Sequence, residues 1–364
     1  MKVLRLEARN LRNLEALRLE PGPRLNLLIG DNGAGKTSVL EALHLMAYGR
    51  SFRGRVRDGL IRHGTEALEV FVEWQEEGTP GRIRKAGLHH AGQTWTGRLD
   101  GEGVDQLSQL CAALVVVSFE PGSHALIDGG GEPRRRYLDW GLFHVEQDFF
   151  PVWRRYTRAL KQRNALLKAG GSDAQLDSWD RELVDAGEPL TRYRRAYLER
   201  LQEEMPALCE DLAPTLGRPE LRYSPGWKQG ELPLADALLL ARTRDRVLGH
   251  TTAGPHRADW GVELSSDARQ DTLSRGQAKL LALTCLMAQA QALAADVGGG
   301  WPVVVLDDLA SELDPGHQQR VLAYLEASGA QVFISGTERP RTKQGVGEQG
   351  VVFHVEQGRI VPRG

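Results

Sequence analysis

Eight consecutive residues, Gly30 to Thr37 (GDNGAGKT), have the types and spacing of a phosphate-binding loop, G-x-x-x-x-G-K-[ST]. Gly30, Asp31, Asn32, Gly33, Ala34 and Gly35 would turn successive backbone N–H groups inward around phosphate oxygens, which needs φ values that a side chain obstructs. Lys36 would reach the β- and γ-phosphates, and the Thr37 hydroxyl would bind Mg²⁺. Ser38 begins a helix whose N-terminus favours an anion. Far along the chain, Trp301 to Asp308 (WPVVVLDD) is a buried-strand run ending in two carboxylates. Either Asp307 serves the metal and Asp308 polarises water, or the strand ends in a solvated acidic turn; the phosphate loop favours the first. No N-K-x-D segment of the GTPase kind occurs, which favours ATP over GTP.

These groups act only if particular elements carry them. Leu25 to Ile29 reads as a short strand before the loop and Ser38 to Leu45 as the start of a helix after it. The 301–306 run reads as a parallel-sheet strand lying beside the loop strand. Leu68 to Trp74 and Gln93 to Leu99 alternate like strands of a β-rich subdomain, and VVFHVEQGRI like a closing strand pair. Residues 338–348, rich in charge and glycine, read as a mobile loop. A chain of 364 residues is long for one core, so two units are expected, one inserted in the other.

Composition narrows the function classes. With 46 basic and 48 acidic residues the formal charge is -2, which excludes a uniformly basic nucleic-acid coat and leaves only local patches. Cys111, Cys209 and Cys285 are far apart in apolar contexts and support neither a disulfide framework nor a zinc site. No run reaches 18 apolar residues, and MKVLRLEARN alternates apolar with charged residues, unlike a signal peptide. A soluble, cytoplasmic protein is the expectation.

Leu273, Ser274, Arg275, Gly276 and Gln277 (LSRGQ) precede a helical run and resemble the signature of ABC-type ATPases; Ser311 to Asp314 (SELD) resembles their D-loop. An ordinary helix cap is compatible with the same residues. The resemblance implies that Ser274 and Gly276 touch the γ-phosphate of ATP held by another copy, and that Ser311 and Asp314 belong to the same junction. A helix N-terminus offers free N–H donors for this. One chain would then carry both halves of a site it cannot close alone, which predicts ATP-dependent dimerisation.

More than half the chain separates Lys36 from Ser274, far more than a transporter ATPase places there. Much of that insert reads as helix, broken at Gly170-Gly171, with Ser172-Asp173 starting the second section. Arg134 to Lys168 holds nine basic and three acidic residues, Asp173 to Asp211 five and eleven, so the two sections could pair. Arg134, Arg135 and Arg136, then Arg154, Arg155, Arg158 and Lys161 on one helix face, are candidate DNA contacts or a solvated, internally paired surface.

The insert is too short for SMC coiled coils. NLRNLEAL, the phosphate-loop segment, GRSFR, GGGEPRRRYLDWGLFH, LKQRNALL, GPHRAD, LSRGQ and LDDLASELD together resemble the RecF family of recombination mediators, compact SMC-like members of the ABC ATPases. The resemblance implies an α/β, ABC/SMC-type P-loop ATPase head (1–131 and 250–364) with a β-rich N-terminal subdomain and an inserted α-helical arm (132–249). It implies a weak, DNA-dependent ATPase that binds ATP and Mg²⁺ and closes as a homodimer on double-stranded DNA near gaps and single-/double-strand junctions. It would work with RecR and RecO toward RecA loading in DNA replication, recombination, repair and the SOS response. Arg12, Asn13 and Arg53 become nucleotide-side residues on the same grounds. His256 and Arg257 in GPHRAD either order a turn or meet nucleotide, partner or DNA. Three departures stand out: no Gln lies near Val117 to Gly122, the second acid is Asp308 rather than Glu, and the switch position falls at Gly336 or Thr337, of which Thr337 carries a hydroxyl. A transporter-coupled ATPase and an ATP-binding structural protein without turnover are the competing classes.

Overall fold

The computed structural model describes residues 1–54, 59–76, 81–265, 272–296, 300–339 and 350–361. The expected mobile loop lies largely outside these residues. Two compact units emerge, one comprising Met1–Ser123, Glu210–Pro214 and Arg275–Gly364, the other His124–Cys209 and Thr215–Ser274.

The first unit contains β1 (Lys2–Leu11), β2 (Leu14–Leu19), β3 (Leu25–Ile29), α1 (Lys36–Tyr48), β4 (Ala67–Gln75), β5 (Ile83–Ala91), β6 (Thr94–Leu99), β7 (Glu102–Val104), α2 (Ser108–Ala113) and β8 (Val116–Phe119). The second contains α3 (Ala125–Asp128), α4 (Gly131–Val145), α5 (Phe149–Ala169), most of α6 (Asp173–Leu212), β9 (Pro219–Ser224), α7 (Leu234–Leu248) and β10 (Asp259–Leu264). The chain then returns to the first unit with α8 (Arg275–Asp296), β11 (Val303–Leu306), α9 (Leu309–Glu312), α10 (Pro315–Ser328), β12 (Val332–Gly336), β13 (Val351–Glu356) and β14 (Arg359–Val361).

Two six-stranded sheets build the first unit. One, in the order β2-β1-β4-β5-β6-β7, is antiparallel throughout and is the expected β-rich subdomain. In β4, Leu68, Val70, Val72 and Trp74 turn inward at every second position, so the alternation read from sequence buries one face. The other sheet runs β14-β13-β3-β12-β11-β8, parallel except for the β13–β14 pair. Its strands β8 and β11 are buried at every residue, as a sheet covered on both faces requires. The carboxylate-bearing β11 does not lie beside β3, as expected, because β12 is inserted between them. Helix α8 is apolar enough to cross a membrane, with a mean hydropathy of 1.4, but 78% of that window is buried inside the protein.

The second unit departs from the expected 132–249 at both ends, reaching His124 and Ser274 while Glu210–Pro214 groups with the first. Register explains the later boundary: β10 pairs along its length with β9, from Asp259–Ser224 to Leu264–Pro219. Gly170 ends α5 in the left-handed region (φ 71°). Ser172 and Gln175 then exchange side-chain-to-backbone bonds (2.9 and 3.4 Å), a capping box that starts α6. The acidic side of α6 meets α5 through Arg155–Glu182 and Arg163–Asp180, and meets α7 through Arg242 and Arg246.

Candidate functional site

Tight apposition shapes the phosphate loop. Gly33 and Gly35 have φ of 82° and 112°, and a Cβ at Gly30 would stand 2.1 Å from the Val355 carbonyl oxygen. Backbone from β13 and the turn after it therefore presses against the loop, and Gly358 N–H donates to the Ala34 carbonyl at 2.7 Å. Helix α1 starts at Lys36 with no side-chain cap and no acidic residue in its first turn. An uncapped helix start of this length carries free N–H groups and partial positive charge, which fits a polyphosphate. The Lys36 ammonium donates to the Gly30 and Asp31 carbonyls at 2.7 and 2.9 Å. Carbonyl dipoles hold it in place but leave its charge available to an anion.

The loop opens on a cleft of about 550 Å³, bounded by Asn32, Gly33, Gly35 and Lys36 to Ser38, together with Arg12, Asn13, Arg53, Ile61, His63, Asp308 and Ser335. Asn13 props the loop, donating to the Gly33 carbonyl (2.9 Å) and accepting from the Ser38 hydroxyl (3.1 Å). The strand between β3 and β11 contributes Ser335, a residue the sequence reading passed over in favour of Thr337 two positions on. Thr37 and Ser335 both donate to Asp307 Oδ1, at 2.9 and 2.6 Å, and Ser335 Oγ accepts from the Asp308 N–H at 2.9 Å. Thr337 is exposed beyond the strand end and does not bound the cleft. The signal for Ser335 was a hydroxyl closing the buried run VFIS, but only the strand order reveals its target.

Asp307 is 3% exposed, and burial raises its carboxyl above the usual range against the opposing hydrogen bonds from Ser335 and Thr37. Its oxygen and the Thr37 hydroxyl are hard donors brought together at the end of two different elements, which suits Mg²⁺. Asp308 adopts φ 51°, ψ 44°, a left-handed conformation costing a non-glycine residue roughly 1–2 kcal/mol. That strain accompanies an orientation in which Asp308, rather than Asp307, borders the open cleft. Ser311 N–H donates to the Asp308 carbonyl at 2.9 Å, and Asp314 caps α10 by accepting from the Gly316 and His317 amides. Hydrogen bonding from His317 holds the Asp314 carboxyl below its ordinary range.

Ser274, Arg275, Gly276 and Gln277 are exposed, Leu273 is half-buried, and α8 begins at Arg275. A Cβ at Gly276 would meet nothing within 4 Å. Arg275, Gly276 and Gln277 do not bound the phosphate cleft.

The basic set divides. Arg154, Arg155, Arg158 and Lys161 do share an exposed face of α5, but Arg155 is committed to Glu182 and Asp185. Arg134 takes the internally paired alternative: it is 7% exposed and pairs through two nitrogens with Asp259 (2.6 and 2.8 Å). Arg135 donates to the Ala258 carbonyl, and Arg136 pairs with Glu132. In the same turn, His256 Nδ1 meets the Tyr156 hydroxyl at 2.8 Å and Nε2 the Thr251 carbonyl at 2.9 Å. Burial lowers its pKa to about 4, which keeps the imidazole neutral where it ties the turn to α5.

The RecF/RecN/SMC N terminal domain family matches residues 2–360. A DNA replication and repair protein RecF of Stenotrophomonas maltophilia is 63% identical over 363 residues, covering 99% of each chain. Another, of Azotobacter vinelandii, is 39% identical over 367 residues, covering 99% of this chain and 98% of the relative. The solved structure of a recombination mediator protein RecF with ATP in the RecFOR pathway superposes with a TM-score of 0.88 at 26% identity, covering 100% of this chain and 98% of that one. An Smc head domain from Pyrococcus furiosus shares the fold at 13% identity and a TM-score of 0.57, covering 99% and 96%. With a phosphate loop, a paired-carboxylate strand end and relatives spanning its whole length, the chain belongs to the RecF family of ATP-binding DNA replication and repair proteins.

Proposed function

We propose that this protein is a DNA-repair ATPase of the cytoplasm whose two copies close on double-stranded DNA when ATP and Mg²⁺ bind. One observation carries the reading. The cleft that would hold ATP contains the phosphate loop, Asp308 and Ser335 but none of Arg275, Gly276 and Gln277, which are exposed. A second copy supplies Ser274 and Gly276 to that cleft, and with them N–H donors for the terminal phosphate. Thr37 and Asp307 hold the metal, Ser335 anchors both acids, and Asp308 orients the attacking water. Asp308 is one methylene shorter than Glu, which fits slow turnover that opens the dimer. The preferred DNA lies at gaps and single-/double-strand junctions, where the protein assists RecA loading with RecR and RecO. Arg154, Arg158 and Lys161 are the exposed phosphate contacts, so binding should weaken steeply with salt and depend little on sequence.

Sedimentation with ATP, ADP or no nucleotide, with and without gapped duplex, tests the scheme. Ser274→Arg is expected to bind ATP within about twofold of wild type yet remain monomeric, since a bulky cation would fill the junction. Loss of ATP binding in that variant would count against a cross-copy role. Asp308→Asn is expected to slow ATP turnover at least about tenfold and to leave the dimer on DNA. Unchanged release at an unchanged rate would instead favour an ATP-binding structural protein. A transporter-coupled role has no support from the family assignment.

A further inference from the structure

Behind the cleft lies a buried cluster that the nucleotide reading does not use. Glu41, on the second turn of α1, is 0% exposed, and Ser51, in the segment after α1, is 9% exposed. Neither borders the cleft, whereas Arg12 and Arg53 both do. Arg12 donates to Glu41 through Nε and Nη2 at 3.0 and 2.9 Å, a two-point contact that fixes the guanidinium plane as well as its position. The Ser51 hydroxyl donates its single proton to Glu41, and its oxygen accepts from Arg12 Nη2 at 3.2 Å and from the Arg53 N–H at 2.9 Å. A hydroxyl offers one donor and two acceptor sites, and all three are occupied here.

The geometry points to Glu41 and Ser51 as positioning residues: one buried carboxylate and one saturated hydroxyl set Arg12 and Arg53 against the nucleotide cleft without bordering it themselves. Three separate chain segments converge on this pair. Arg12 arrives with φ 56°, a left-handed conformation that costs a non-glycine residue energy, and its N–H is held by the Leu60 carbonyl at 2.8 Å. A fully buried carboxylate needs a cationic partner, so Glu41 and Arg12 require each other. Ser51 extends that constraint to the backbone of Arg53, whose charge reaches Asp307 on the metal side of the cleft. Cations placed this way are pre-ordered for a polyphosphate, and ordering them before binding is worth affinity.

The inference rests on the nucleotide reading. Its test is equilibrium titration of the full chain with a fluorescent ATP analogue, alongside thermal unfolding, for wild type, Glu41→Gln, Ser51→Ala, Arg12→Gln and Glu41→Gln/Arg12→Gln. Glu41→Gln and Arg12→Gln are each expected to weaken binding about tenfold, and Ser51→Ala about threefold, on the scale of single charge-assisted and neutral hydrogen bonds. The double variant should bind no more weakly than the weaker single, because Glu41 acts through Arg12. Additive losses, about a hundredfold in the double, would show that Glu41 acts otherwise and overturn the assignment. If Glu41→Gln does not fold, Ser51→Ala decides: wild-type affinity in that variant overturns the assignment. A wild type that binds no ATP overturns the nucleotide reading and this inference together, whereas intact wild-type binding with indifferent variants overturns the inference alone.

Discussion

Lys36→Met should lower ATP affinity at least about 100-fold and abolish ATP-dependent pairing, measured by nucleotide titration and by sedimentation. Lys36 is 9% exposed, and its ammonium is held by two loop carbonyls rather than by a carboxylate. Methionine keeps the length of the side chain and deletes its charge, so the phosphate cradle loses its one side-chain cation at the loop while the glycine turns persist. Charge-assisted hydrogen bonds are worth about 1.5–3 kcal/mol each, and two to phosphate oxygens amount to two or more decades in affinity. Helix α1 is packed over nearly its whole circumference, so the variant should stay folded. Dimerisation that persists undiminished with ATP would remove nucleotide from the pairing mechanism.

Arg163→Met should destabilise the second unit by about 3–5 kcal/mol, the cost of leaving buried carboxylates without their counter-ion. Arg163 is 0% exposed and donates to Asp180 on α6 (2.5 Å), to Asp245 on α7 (2.6 Å) and to the Thr251 hydroxyl (3.0 Å). Asp245, also fully buried, accepts in addition from the N–H and hydroxyl of Thr252. One guanidinium therefore ties two other helices and a loop to α5. Hydrogen exchange of the α5, α6 and α7 amides is the discriminating measurement, because a chain with two units need not unfold in one step. Protection within about 0.5 kcal/mol of wild type would mean the cluster relaxes and carries little of the packing.

The chemistry of the loop was legible because it is written in adjacent residues: glycines where φ is positive, then Lys36 and Thr37 at fixed offsets. Cap signals were equally local, as Gly170 and the Ser172/Gln175 exchange show. Strand order was not legible, since it depends on which buried runs pack together, and its consequence, Ser335 bridging both acids, was lost with it. Charge spacing left Arg134 undecided for a related reason. An arginine on a helix reads alike whether its partner is a phosphate or Asp259, 125 positions away. Likewise, the reach of the second unit past residue 249 follows from β9 meeting β10, a pairing with no local signature.

The placement of β3 has a consequence for how the molecule is made. The strand that leads into the phosphate loop is translated long before both of its sheet neighbours, β12 and β13. Asn26 Nδ2 donates to the carbonyl of Val332, 306 positions later. Until then β3 has two open edges, and closing such a span is slow and leaves apolar strand exposed to misplaced pairing. The loop thus takes its final geometry only after two strands translated long after it have docked on either side of β3.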